Sequence, residues 1–232
     1  RKYIADVHRA GASGQTVVRL QSAAMDRIVV VLWERAVAEA ARDHGASPVS
    51  LVALGGYGRR DLAPFSDVDL LVLHGAREPD AFVKGASERF LYALWDLKLE
   101  VGYGVRDLRA CEALASEDHT ARTALLDLRH LAGDRALFRE LEREELLGLS
   151  QAKVDKFLAD KLEEMRSRRD RFGDSLYLLE PNVKESEGGL RDLQSALWLA
   201  RVRFKVAGLT ELLSRALLPE RDIREMRRAR DF

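Results

Sequence analysis

Residues 50–74, SLVALGGYGRRDLAPFSDVDLLVLH, decide how the rest of the chain is read. An apolar run (Val49, Leu51, Val52, Ala53, Leu54) breaks at Gly55, Gly56 and Gly58, and a second apolar run carries Asp67 and Asp69. That is the pattern of strand, glycine loop, strand. Side chains alternate across a strand, so Asp67, Asp69, Leu71 and Leu73 share one face while Val68, Leu70 and Val72 share the other. A strand that is apolar on both faces is a buried one, and it does not ordinarily open with two carboxylates on one side. At roughly 5 Å and an effective dielectric of about 20 their repulsion is about 3 kcal/mol before desolvation. A cationic group between them is the expected remedy.

Working outward, Val17, Leu20, Ala24, Ile28, Val31 and Leu32 recur at helical spacing upstream, and Gly45 with Pro48 marks the stop. Downstream, Pro79 and Asp80 open a helix with an apolar stripe of Phe82, Val83, Phe90, Leu91, Leu94 and Trp95. LEVGYGVRDL (99–108) reads as a third strand, with Leu99, Val101, Tyr103 and Val105 on one face and Glu100 on the other. From Asp107 the pattern is almost wholly helical. Asp118 caps a helix through Ala121, Leu125, Leu128 and Leu131 that Gly133 stops, and Asp134 caps the next, with Leu137, Phe138, Leu141 and Leu146. Ser150 begins a longer helix through Val154, Phe157, Leu158, Leu162 and Met165, ending near Gly173. The expected organisation is a helical leader over 1–47, a core over 48–147 and a helical domain over 148–232.

Composition excludes more than it assigns. The 232 residues carry 38 Lys plus Arg against 38 Asp plus Glu, so bulk charge favours neither a nucleic acid nor a membrane as partner. The longest apolar runs are far short of a bilayer span, and RKYIADVHRAGASG has no apolar signal core, so a cytoplasmic protein is expected. The single cysteine, Cys111, agrees with a reducing compartment and reads as a packing residue. Absence of an initial methionine and the charged helical end suggest a fragment of something longer. Trp33, Trp95 and Trp198 sit on apolar helical faces and read as core.

A second irregular stretch runs from Ser175 to Phe204. Leu176 to Leu179 read as extended, Pro181 interrupts, and Gly188 and Gly189 lead into a helix with core positions Leu193, Ala196, Leu197, Ala200 and Phe204. A glycine pair at a helix start exposes backbone N–H groups at the positive end of the helix dipole, and Lys184 and Arg191 flank it. The basic run Met165–Arg171 follows Glu163 and Glu164 and reads as a solvated face with helical ion pairs, as does Arg227–Arg230.

Taken together, the order of apolar strand, Gly-Gly, about ten residues, Ser-Asp-x-Asp and a later acid resembles the nucleotidyltransferase superfamily typified by DNA polymerase β. GGYGRRDLAPFSDVDLL (55–71) resembles the signature of the bacterial PII uridylyltransferase/uridylyl-removing enzymes, and LEPNVKESEGGLRDLQ (179–194) resembles that family's second signature. LWDLKLEVGYGVRDL (94–108) is similar to the segment between them. Arg60 stands where the family usually has glycine, and Asp61 where it has glutamate.

The resemblance implies an α+β fold, a small mixed sheet with flanking helices followed by a helical domain. It implies transfer of UMP from UTP to a tyrosine hydroxyl of the PII signalling protein, with pyrophosphate released. Two divalent ions, magnesium or manganese, would neutralise charge at both ends of the reacting phosphate. Asp67 and Asp69 are then the bridging ligands. Glu100 is the candidate third acid and Asp96 its rival. Gly55, Gly56 and Gly58 would let backbone approach the triphosphate, with Ser66 adding a hydroxyl and Arg59 reaching the outer phosphates. Lys184, Gly188, Gly189 and Arg191 are expected to contact the nucleotide from the helical region. The alternatives are adenylyl transfer to glutamine synthetase and a nucleotide-binding regulatory module without turnover. Members of the family also carry hydrolytic and glutamine-sensing domains, which this stretch does not include.

Overall fold

In the computed structural model of the chain, residues 2–172, 182–206 and 209–231 are described. They fall into two compact units, Arg1–Glu145 and Leu146–Phe232.

The first unit is built on a four-stranded sheet of β1 (Val49–Ala53), β2 (Val68–His74), β3 (Val101–Arg106) and β4 (Arg129–Gly133), in the order β3-β2-β1-β4. β1 runs antiparallel to β2 and β4, while β2 and β3 are parallel. Ahead of the sheet lie α1 (Lys2–Arg9) and α2 (Gly14–His44), and between β1 and β2 lies a single helical turn, α3 (Gly55–Gly58). The parallel crossover carries α4 (Ala81–Asp96), whose first turn is capped by Asp80 through a 2.8 Å bond from the Val83 N–H. After β3 come α5 (Leu108–Glu117), α6 (His119–Leu126) and, past β4, α7 (Arg135–Leu147).

Both faces of β2 are covered, which is why its sequence is nearly continuous in apolar residues. On one side Val68, Leu70 and Val72 pack with Met25, Val29, Trp33, Phe90 and Leu94 from α2 and α4. On the other, Leu71 and Leu73 pack with Cys111, Leu125, Phe138 and Leu141. Each large apolar side chain so buried contributes roughly 1.5–3 kcal/mol. Cys111 is buried, and the burial pushes its thiol up to about 12. It is therefore a poor nucleophile at neutral pH.

Three local expectations are corrected. The helix expected from Asp118 to Leu131 ends at Leu126, and Arg129–Gly133 is an edge strand pairing with β1. Five residues with two apolar positions fit either period, and the open edge of β1 decides between them. The buried stripe of α2 is Val17, Ser22, Met25, Val29, Trp33, Ala36 and Ala40, while Ile28 and Val31 face outward. Trp95 is 55 % exposed on α4 and stacks edge-on with the exposed Tyr92 instead of entering the core.

The second unit contains α8 (Gln151–Phe172), α9 (Leu190–Phe204), α10 (Leu209–Ser214) and α11 (Glu220–Asp231). Val206, Leu212 and Ile223 form one small core with Leu197 and Ala200. α9 buries Ser195, Trp198 and Val202, a stripe shifted from the one expected, so that Ala196 and Phe204 face outward. The extended stretch expected at Leu176 to Leu179, Pro181 and the helix end near Gly173 lie outside the described residues. No described helix is long and apolar enough to cross a membrane. An α+β chain with a small mixed sheet and flanking helices, as the sequence implied, is what is found.

Candidate active site

β2 begins at Val68, so Asp67 sits one residue before the strand, exposed, while Asp69 is the second strand residue and half-buried. The Asp69 carbonyl accepts from the Leu54 N–H at 3.0 Å, which ties the start of the glycine turn to the acidic strand. Its carboxylate occupies the space that side chains at Gly55 and Gly102 would otherwise fill. A Cβ on Gly55 would stand 3.2 Å from Asp69 Oδ2, and one on Gly102 would overlap Oδ1. Gly102 is the partner of Asp69 across the parallel ladder. Glycine there is thus the condition for an acid on that face of β2.

Glu100 precedes β3, and its carbonyl accepts from the Val68 N–H at 2.9 Å. Two residues before Gly102, it shares Asp69's face by alternation and is exposed, as is Asp96 at the end of α4. Among the described residues no three His, Cys, Asp or Glu side chains gather as a metal-binding group, so Glu100 does not complete a cluster with the two aspartates.

The turn Gly55–Gly58 is a helical turn where a loop was expected, with Leu54 extended before it and Gly55 at φ +54°. The first amides of such a turn have no acceptor inside it. The guanidinium of Arg59, the residue expected to reach the outer phosphates, donates to Asp127 at 2.5 Å and to Asp61 at 3.2 Å. Gly58 lies so close to the Asp127 carbonyl that any Cβ would overlap it. Arg60, at the position where glycine was the familiar residue, has φ +65°, which accounts for that preference. Ser66 is exposed in the turn leading to Asp67, its N–H donating to the Ala63 carbonyl at 3.2 Å, and Phe65 before it is 82 % exposed with φ +71°.

Distant residues hold this turn, and sequence reasoning missed them. Arg129 forms a two-pronged pair with Asp26, both bonds at 2.9 Å, and donates to the carbonyls of Gly58 and Tyr57 at 3.1 Å each. Its guanidinium also lies 5.2 Å from the centre of the buried Tyr57 ring. Burial, with Asp26 adding to it, pushes the Tyr57 hydroxyl above its ordinary range. The Leu62 N–H donates to Ser22 Oγ on α2 at 3.2 Å. Arg129 and Asp26 are 103 residues apart, and only the strand at Arg129–Gly133 brings them together. The one signal available was an arginine at the mouth of a short apolar run.

The second glycine motif is differently made. N–H groups of Gly189, Leu190 and Arg191 donate to the carbonyls of Ser186, Val183 and Lys184 at 2.9–3.0 Å, and the Gly188 N–H donates to Asp192 Oδ2 at 3.0 Å. The amides expected to be open to an anion are spent on the motif's own acceptors. Gly189 is glycine because a Cβ would come within 2.8–2.9 Å of three of these carbonyls. Lys184 is exposed, and Arg191 pairs with Glu185 at 3.2 Å.

Residues 1–104 match the family model described as putative nucleotidyltransferase DUF294, and residues 156–232 match the one described as GlnD PII-uridylyltransferase. A bifunctional uridylyltransferase/uridylyl-removing enzyme from Burkholderia orbicola (strain AU 1054) is 46 % identical over 184 residues, 79 % of this chain and 21 % of that one. One of the same description from Caulobacter vibrioides (strain NA1000 / CB15N) is 38 % identical over 226 residues, 96 % of this chain and 24 % of that one. The chain thus spans between a fifth and a quarter of the length of these curated relatives.

Proposed function

Starting from a chain that is a relative of the bifunctional uridylyltransferase/uridylyl-removing enzymes, we propose that it carries the nucleotidyl-transfer centre of such a protein. The reaction is transfer of UMP from UTP to a tyrosine hydroxyl of the PII signalling protein, in the cytoplasm, with release of pyrophosphate. The observation that carries this reading is the seat of Asp69: a half-buried carboxylate set against the glycine turn, with room reserved for it by Gly102.

The donor set suits a hard divalent ion, since Asp67, Asp69 and the neighbouring Glu100 offer only carboxylate oxygens. Asp67 and Asp69 would hold magnesium, which supplies Lewis-acid stabilisation of the charge on the reacting phosphate. This chain's own groups do the rest. The turn at Gly55 and Gly56 offers amide donors to phosphate oxygens, with Ser66 beside it. Arg59, tied to Asp127, fixes the end of that turn, and Arg129 holds the carbonyls of Tyr57 and Gly58. Contact of Lys184 and Arg191 with the nucleotide is supported by the likeness of residues 182–194 to the family's second signature. Glu100 is kept as the candidate third acid on the bond from the Val68 N–H, between the two aspartates, to its carbonyl.

The test is incubation of the chain with magnesium, PII protein and UTP or ATP labelled at the α-phosphorus. Label on PII from UTP, and not from ATP, is expected. Transfer from ATP alone, to glutamine synthetase, would replace this reading with adenylyl transfer. Nucleotide binding with no transfer to any acceptor would reduce the chain to a regulatory module.

A further inference from the structure

The α8–α9 pair contains a buried polar seam that the transfer reaction does not use. Arg168, in the basic run expected to be a solvated face, is only 3 % exposed. Its Nη2 donates to Asp192 Oδ1, and its Nε and Nη1 are buried with no acceptor among the described residues. Two turns earlier on α8, Lys161 is 4 % exposed, with Nζ 2.6 Å from Glu164 Oε2 and 4.7 Å above the Trp198 ring. Arg168 on Asp192 and Lys161 on Trp198 therefore fix the two helices at two points. Ser195 lies between Asp192 and Trp198, one turn from each, and is fully buried with an unpartnered Oγ. Ser186 Oγ, in the turn before α9, is buried and unpartnered as well.

Leaving two guanidinium N–H groups dry and unbonded is costly, and such groups in a folded protein usually mark a missing acceptor. The carboxylates nearby are already engaged: Glu164 with Lys161, Asp192 with Arg168 and Gly188, Glu185 with Arg191. Burial holds Lys161 below its ordinary value, and the positive charges of Arg191 and Arg168 add to that effect. The seam is thus crowded with cations, and Asp160, next to Lys161 on α8, keeps a buried Oδ2 near it. The backbone amides at the start of α9 are used internally, so any ligand is recognised by side chains.

We propose that the α8–α9 seam is a binding site for a phosphate-type oxyanion, held by the free edge of Arg168 with Ser195 and Lys161. A tetrahedral oxyanion offers adjacent acceptors to the guanidinium fork and leaves further oxygens for a hydroxyl and an ammonium, which one water does not. The site is built wholly from residues of the second unit. The chemistry fits free phosphate, pyrophosphate and the phosphate chain of a nucleotide.

The experiment is calorimetric titration of the chain in metal-free buffer with phosphate, pyrophosphate and UTP in separate arms, followed by Trp198 fluorescence. At least one arm should show saturable one-to-one binding, and the arm that does identifies the source. Arg168→Lys keeps the charge but loses the fork and should weaken binding about tenfold or more. Ser195→Ala, a change that leaves packing volume almost untouched, should weaken it several-fold. Absence of saturable binding in all three arms overturns the proposal. So does full affinity in Ser195→Ala and in Arg168→Lys.

Discussion

The chain has two glycine motifs that look alike as text and are built on opposite plans. GGYG at 55–58 closes its own turn, with the N–H groups of Gly58, Arg59 and Asp61 donating to the carbonyls of Leu54, Gly55 and Gly56, and is also held from far away by Asp26 and Ser22 on α2, Asp127 after α6 and Arg129 on β4. EGGLRD at 187–192 is self-contained, its amides paired with carbonyls no more than seven residues away and with Asp192. The first plan makes the turn's geometry a property of the whole first unit. The second uses its amides up and leaves recognition to side chains. A pair of glycines is therefore not evidence of a phosphate loop until the destination of its N–H groups is known.

Several substitutions would sharpen or break that contrast. The largest effect is expected from Gly58→Ala, whose Cβ overlaps the Asp127 carbonyl. Thermal unfolding of the first unit should show a loss of about 3 kcal/mol. Arg129→Met should cost about 2 kcal/mol, because it strands Asp26 and two turn carbonyls that are partly buried. If transfer activity falls much further than stability, the clamp positions the turn; an equal fall would make it a structural pair only. Gly189→Ala should cost about 1–2 kcal/mol in the second unit alone, since the carbonyls it crowds are all local. A shift in the first unit's unfolding would contradict the self-contained plan. Smallest, Arg60→Gly should stabilise by about 1 kcal/mol by relieving a left-handed φ, read as a small rise in the melting temperature.

Much of the sheet was legible because its signals are local. The glycine break, the alternation in β2 and the glycine-rich β3 each sit within a few residues, and Asp80 and Asp134 cap the helices expected of them. β4 was not legible, because RHLAG has no period of its own and is fixed by the edge of β1. The stripes of α2 and α9 were misplaced for a related reason. Both helices carry apolar residues around much of their circumference, and packing chooses the face. In the site, Asp69 and Gly55 stood out in the pattern, whereas Gly102, which makes room for the carboxylate, did not, because only the β2–β3 register sets it opposite Asp69. The clamp of Arg129, Asp26 and Asp127 could not, since nothing in the sequence marks partners about a hundred residues apart. Arg168 shows the converse: a basic run that reads as solvated hides one buried member paired across to α9.

The central claim is that Asp69 is seated against the glycine turn in order to carry nucleotidyl transfer. The most direct measurement is label transfer from UTP to PII by Asp69→Asn, with circular dichroism and melting temperature recorded on the same sample. The fold should survive, because asparagine fills the space beside Gly102 as the aspartate does, and transfer should fall about a thousandfold or more, the scale expected when one charged group of a transition-state site is removed. An intact variant that transfers UMP at the rate of the original chain would contradict the account.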